Sequence, residues 1–255
     1  MATVAFDSGR TTVRPRFYVV MAGIFVVIAF GGFIPTYWAK IAAGTFDHPP
    51  IYHLHGLILF SWTLFYFFQT ALVAAGRTVD HRQWGMLGIA LATAIGFTVT
   101  MVAMTSIHVA DVAGFGDSQR RFEAISFVGL FVFATFFVAA IVTVRRAEWH
   151  KRWMILAAIP VLQAAMARVF LAVLAPPATS IVGPAPPVFI TIPPGLAIDL
   201  LVVAAMIYDW RTRRRVHPVY LFGLPFLLIS QIAVVPIGAS AAWMSAATAI
   251  EHLLG

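Results

Sequence analysis

The chain contains no cysteine and no asparagine. Without thiols no disulfide, thiolate metal site, iron–sulfur cluster or thiol nucleophile can form. Without asparagine there is no N-glycosylation acceptor. Lysine is nearly missing as well, since Lys40 and Lys151 are the only two. Both fall at the edges of apolar runs, so a retinal Schiff base has no lysine to form on. Charge is scarce throughout: 11% of residues are charged and 61% hydrophobic, against roughly 25% charged in a soluble domain. That composition excludes an ordinary soluble domain and marks a membrane chain. There is also no HExxH, nucleophile elbow or phosphate loop, and Gly114-Phe-Gly116 is too short for a dinucleotide fingerprint. Paired carboxylates for acid and base work are missing, because Asp111, Asp117 and Glu123 are expected in an exposed loop and solvated.

What the chain has in quantity is apolar length. A helix needs about 20 apolar residues to cross the hydrocarbon layer. Uncharged runs of that scale cover residues 17–37, 51–75, 84–107 and 124–144, and three more spans are expected at 153–174, 188–208 and 220–242. The sixth contains Pro193 and Pro194, and its proline-free part, 195–208, spans only about 21 Å. The segment 181–194 is expected as an ordered flap or a broken re-entrant piece. The first run is too long for a removable signal peptide and reads as an anchor.

Thirteen basic residues fall on one side of these spans: Arg10, Arg14, Arg16, Arg77, Arg82, Arg145, Arg146, Lys151, Arg152, Arg211, Arg213, Arg214 and Arg215. Only Lys40, Arg120 and Arg121 fall on the other. The positive-inside rule then puts the N-terminus in the cytoplasm and the C-terminus outside. The formal charge of +7 is explained by loops lying on an anionic leaflet. No nucleic-acid partner is implied, because no basic stretch is interleaved with aromatics.

The organisation is repetitive. Arg77/His81/Trp84, Arg146/His150/Trp153 and Arg213/His217/Tyr220 share one spacing, and each set lies between two apolar runs. The stretches beginning at Phe67 and Phe136 align without a gap, with 8 identities in 21 positions. The expected fold is therefore an all-α polytopic bundle of seven transmembrane helices, one helix plus three related hairpins. A tail at 1–16, a single membrane domain at 17–247 and an outer tail at 248–255 complete it.

Candidate functional residues come from two places. At the basic face, His81, His150 and His217 stand where a cation meets lipid phosphate and an aromatic joins the interfacial belt. Alternatively they converge on a metal or heme, since histidine is the commonest metal ligand. His217 also reads as part of a turn, because Pro218 follows it at a first helical position. Near the outer face stand the residues that break the repeat: His53, His55, His108, Arg168 and Asp199. Residues two apart on a helix point about 200° apart, so His53 and His55 cannot both hold one ion on a regular helix. His55 shares a face with Trp62 and Gln69 and is the better ligand. A heme b or a copper or iron ion between His55 and His108 is one expectation, with His48, Asp111 and Glu123 as outer additions. An Arg168–Asp199 ion pair is another, because a lone charge inside a bilayer costs at least about 2.5 kcal/mol. A small anionic ligand held by Arg168 is a third.

At these residues the chain resembles a group of uncharacterised bacterial multi-pass membrane proteins. They carry a His-x-His-Gly entrance, here His53 to Gly56, and a His-Arg-x-x-Gly helix start, here His81 to Gly85. The likeness spans nearly the whole chain and implies a location in a bacterial inner membrane. The segment His150 to Met154 is similar to a helix entrance in small membrane proteins that assist terminal-oxidase assembly. Diheme cytochrome b bundles are similar in placing histidines at both ends of antiparallel helices, although this chain has none in its fourth span. Taken together, these expectations describe a heme- or redox-metal-binding protein for electron transfer or respiratory-complex maturation, with respiratory-chain proteins as partners. The alternatives are a carrier or receptor for a small anionic or lipid-like molecule, and a cofactor-free structural subunit.

Overall fold

The computed structural model of the protein describes residues 16–174 and 183–254. Arg10, Arg14 and residues 181–182 of the proline-rich segment lie outside the described residues, and so does Pro177, the repeat counterpart of His108. In hydrocarbon every backbone donor and acceptor must be satisfied within its own segment, and the described residues form helices and no strand. Helix α1 (Phe17–Gly32) continues through a π-helical turn (Ile34–Trp38) into the short α2 (Ala39–Ala42). Then follow α3 (Ile51–Ala74), α4 (Thr78–Val112), α5 (Gly116–Val142), α6 (Ala147–Leu174), α7 (Ile192–Arg213), α8 (Pro218–Ala239) and α9 (Ala241–Leu254). Seven of these stretches are long and apolar enough to cross a membrane, with α1 and α2 counting as one. The all-α seven-span bundle read from the sequence is the fold of this chain.

The three hairpins are α3 with α4, α5 with α6, and α7 with α8, while α1 packs on both α3 and α6. The first hairpin turns at Gly76, whose φ of 80° a side chain would strain. Small residues set the closest approaches. A Cβ on Gly32 would meet the Ala165 carbonyl oxygen at 2.4 Å, so α1 and α6 touch backbone to backbone there. Around that contact Phe25, Trp62, Tyr66, Phe133 and Phe136 fill the bundle centre.

Three features differ from the sequence expectations. Pro193 and Pro194 do not break the sixth span. They occupy the first turn of α7, where a missing N–H costs nothing, and a 3-10 turn over Val188–Thr191 leads in. The seventh span ends at Ala239, and much of the expected tail belongs to α9. Trp243, Ala247 and Ile250 recur at i, i+4 and i+7 on that helix and pack against Met104, Ile107 and Phe127. The Trp243 indole donates to the Arg120 carbonyl at 2.7 Å. Glu123, expected in a solvated loop, is buried in α5, where it accepts from Gln119 Nε2 at 2.7 Å and Ser126 Oγ at 2.5 Å.

Each end of the bundle carries an ion network. At the basic end Arg152 donates to Asp209, with Nε–Oδ2 at 2.8 Å and a second bond from its terminal nitrogen to Oδ1. The same guanidinium reaches Glu148 at 2.8 Å, and Glu148 also pairs with Lys151 and Arg213. At the opposite end Arg120 pairs with Asp111 at 2.8 Å, Asp117 at 3.0 Å and Glu251 at 2.8 Å. The first network joins α6 to α7, and the second joins α5 to α9.

Candidate functional site

The polar residues at the Arg120 end gather around the point where α1 gives way to its π-helical turn. His55, in the first turns of α3, has Nδ1 3.3 Å from Thr98 Oγ1 on α4. The Thr98 hydroxyl is also within bonding distance of the Ala94 carbonyl, at 3.0 Å. Arg168, on α6, donates to the Ala164 carbonyl at 3.1 Å and lies 4.4 Å from the Phe33 ring centroid. It is also within electrostatic reach of His55. Thr36, on the π-helical turn, has a buried hydroxyl with no partner.

A ring of aromatics closes this cluster on the side of the loop. Tyr37 Oη and His53 Nδ1 are hydrogen-bonded at 3.0 Å, and Phe46 packs on Tyr37, His48 and His53. Tyr52, stacked on His48, is bonded to Ser106 on α4 at 2.6 Å. Burial and then the nearby Lys40 push the His48 pKa down. His53 thus flanks the site through Tyr37, in line with the separation of two helix faces.

His55 and Arg168 lie within electrostatic reach of one another, and His108 lies apart. His55 is level with Thr98, and His108 lies ten residues farther along the same helix, about 15 Å. Helix α4 has 35 residues, about 52 Å, so its ends project past a hydrocarbon layer about 30 Å thick. His108 is exposed on that projection, and one metal ion or heme iron cannot span the gap between it and His55 at imidazole bond lengths near 2 Å.

Arg168 and Asp199 do not pair. Gln163 on α6 donates to the Thr191 carbonyl at 3.4 Å and sits against Gly195, so Gln163 is level with the start of α7. Arg168 is five residues beyond Gln163 in one direction and Asp199 four beyond Gly195 in the other, a difference of about 13 Å in height. Because α7 begins before its prolines, Asp199 lies deeper than a helix starting after them would place it. It accepts instead from Gln231 Nε2 at 3.1 Å. Among the described residues no carboxylate comes within ion-pair distance of Arg168.

At the basic end the three repeated histidines divide. His81 and His150 approach to 6.2 Å between ring centroids. The Ala140 carbonyl accepts from His150 Nδ1 at 2.9 Å, and His81 Nδ1 is buried without a partner. His217 goes elsewhere. It caps α8 by accepting from the Val219 N–H at 3.3 Å and meets the edge of Trp149, as the following proline implied. Burial and then Arg152 lower its pKa.

Asp209 is the site residue that the sequence reading missed. A signal was present, since it is the only acidic residue between Asp199 and Glu251 and stands beside a run of arginines. No family model, curated protein or solved structure matches the chain.

Proposed function

We propose that this protein binds a small organic anion within the membrane and acts as its carrier or receptor, with Arg168 as the counter-ion. The observation that carries this reading is a guanidinium on a membrane-crossing helix, with no carboxylate in range among the described residues. Such a charge costs at least about 2.5 kcal/mol, and a bound anion would offset that. His55 lies within electrostatic reach of Arg168 and would add a polar contact, and the Phe33 face stabilises the cation. The positive-inside rule supports an orientation with the Arg152 end in the cytoplasm and the anion site toward the outer face, in the bacterial inner membrane that the resemblance implies. Thermal-shift and calorimetric titration of the purified protein with benzoate, succinate and inorganic phosphate test the reading. Binding of one of them that is lost in Arg168→Gln supports it, and equal behaviour of the two proteins removes it.

A metal ion is the second reading, and the observation favouring it lies at the basic end. His81 and His150 face each other at 6.2 Å between ring centroids, and His150 commits Nδ1 to a backbone carbonyl, which is how ligating imidazoles are oriented. Gln69, with both side-chain polar atoms buried and unpartnered, is on the neighbouring helix. With neutral donors and the Arg82 charge acting on His81, an ion of low charge such as copper(I) suits the pair better than a divalent ion. Elemental analysis and anaerobic copper(I) titration of the wild type and of His81→Ala measure it. A redox role in electron transfer or respiratory-complex maturation would follow only from that metal.

A further inference from the structure

Asp199 and Gln231 are both deeply buried, at 3% and 7% exposure, and face each other between α7 and α8. Gln231 Nε2 donates to Asp199 Oδ2 at 3.1 Å. The two remaining oxygens, Asp199 Oδ1 and Gln231 Oε1, are buried and have no partner. Both are acceptors, so the pair is short of one hydrogen-bond donor. Gly195 makes the approach possible, because a Cβ there would lie 2.9 Å from Gln231 Cδ.

A carboxylic acid and a primary amide satisfy each other through two antiparallel bonds. The amide N–H donates to one carboxyl oxygen, and the acid O–H donates to the amide oxygen. Here the first bond is present, and the two oxygens that the second would join are the two left without a partner. We infer that Asp199 is a resident proton-binding site, held as the neutral acid by a two-bond pair with Gln231. With the proton on Oδ1 all four polar atoms are satisfied. Without it, a carboxylate would sit unpaired in the membrane interior, which is costly.

The surroundings agree. No charged group from α6, α8 or the Val188–Thr191 turn acts on Asp199 among the described residues, and Arg168 lies about 13 Å higher. A cavity of about 20 Å³ beside Gln231, lined by Pro160, Gln163 and Ser230 among others, is large enough for one water. Gln163 in turn reaches Thr191, so polar groups lead from the pair toward the start of α7. Loss of the proton would set Asp199 Oδ1 and Gln231 Oε1 against each other, which ties protonation to the packing of α7 on α8. The proton site stands without any ligand. Its use to couple proton and anion movement rests on the anion reading of Arg168.

Infrared spectroscopy of the purified full chain in liposomes tests the site. At pH 7 a protonated-carboxyl carbonyl band that shifts in D2O is expected, with a component lost completely in Asp199→Asn. Asp199→Asn is expected to melt with the wild type, because its amide N–H replaces the acid O–H toward Gln231, whereas Asp199→Ala melts lower. A carboxyl band unchanged in Asp199→Asn belongs to another acid such as Glu123 and overturns the proposal. So does an Asp199 component that disappears on adding Na+ at constant pH, which would make the pair a cation site. Neither measurement uses an anion, so this inference and the anion reading fail separately.

Discussion

The Arg152 guanidinium and the Asp209 carboxylate meet side on at 1% and 0% exposure, joining α6 to α7 at the basic end. The backbone N–H of His217 adds a bond to Asp209 Oδ2 at 3.3 Å, which brings the start of α8 into the same knot. Breaking a buried pair from one side strands the other charge, typically at a cost of 3–5 kcal/mol. Asp209→Asn and Arg152→Met are therefore expected to destabilise by about that amount. The double replacement is expected to cost less than the sum. Denaturation midpoints in detergent measure all three.

Packing between α1 and α6 depends on one missing methyl group. A Cβ on Gly32 would strike backbone at Ala165, which cannot rotate away. Gly32→Ala should destabilise by about 1–3 kcal/mol through overpacking. Gly85→Ala meets nothing within 4 Å and should be neutral or gain up to about 1 kcal/mol from helix propensity. A comparison of the two melting curves checks both signs.

The C-terminal helix is expected to release when its anchor is cut. Arg120 holds Glu251 directly, and Trp243 is bound to the Arg120 backbone. Arg120→Ala combined with Trp243→Ala should free α9 and uncover Met104 and Ile107. The readout is faster amide exchange over residues 241–251, with the seven spans still protected.

Stability should fall as the pH is lowered below about 6.5, the unperturbed histidine value. His48 and His217 both have pKa values pushed down by burial. The unfolded chain therefore takes up more protons than the folded one across that window, and stability rises with pH until the unfolded imidazoles are neutral. Replacing His217 by Gln should flatten part of the slope between pH 5 and 7. A flat profile in the wild type would contradict it.

Much of the architecture was legible in the chain itself. Apolar run length counted the spans, because hydrocarbon leaves a backbone no partner but its own helix. The Arg-x-x-x-His spacing located the three hairpins for the same local reason. The candidate site was legible only as a set of residues. Arg168, His55 and Asp199 each stood out as polar groups where apolar ones were expected, which is a one-dimensional signal. Which of them meet was a matter of height and rotation on separate helices. Helix α4 proved long enough to carry His108 about 15 Å past His55. Pro193 and Pro194, accepted into a first turn, lowered Asp199 out of reach of Arg168 and toward Gln231.

Composition and periodicity alone determined that this is a seven-span helical membrane protein without thiol chemistry, since those follow from which side chains exist and how far each run extends. Only the tertiary structure decided the partners: His55 with Thr98 and the Arg168 field, Asp199 with Gln231, Arg152 with Asp209, His81 with His150. Partnership depends on where helices start and how closely glycines and alanines let them pack, and a shift of a single turn moves a side chain by about 5.4 Å, more than the reach of any hydrogen bond.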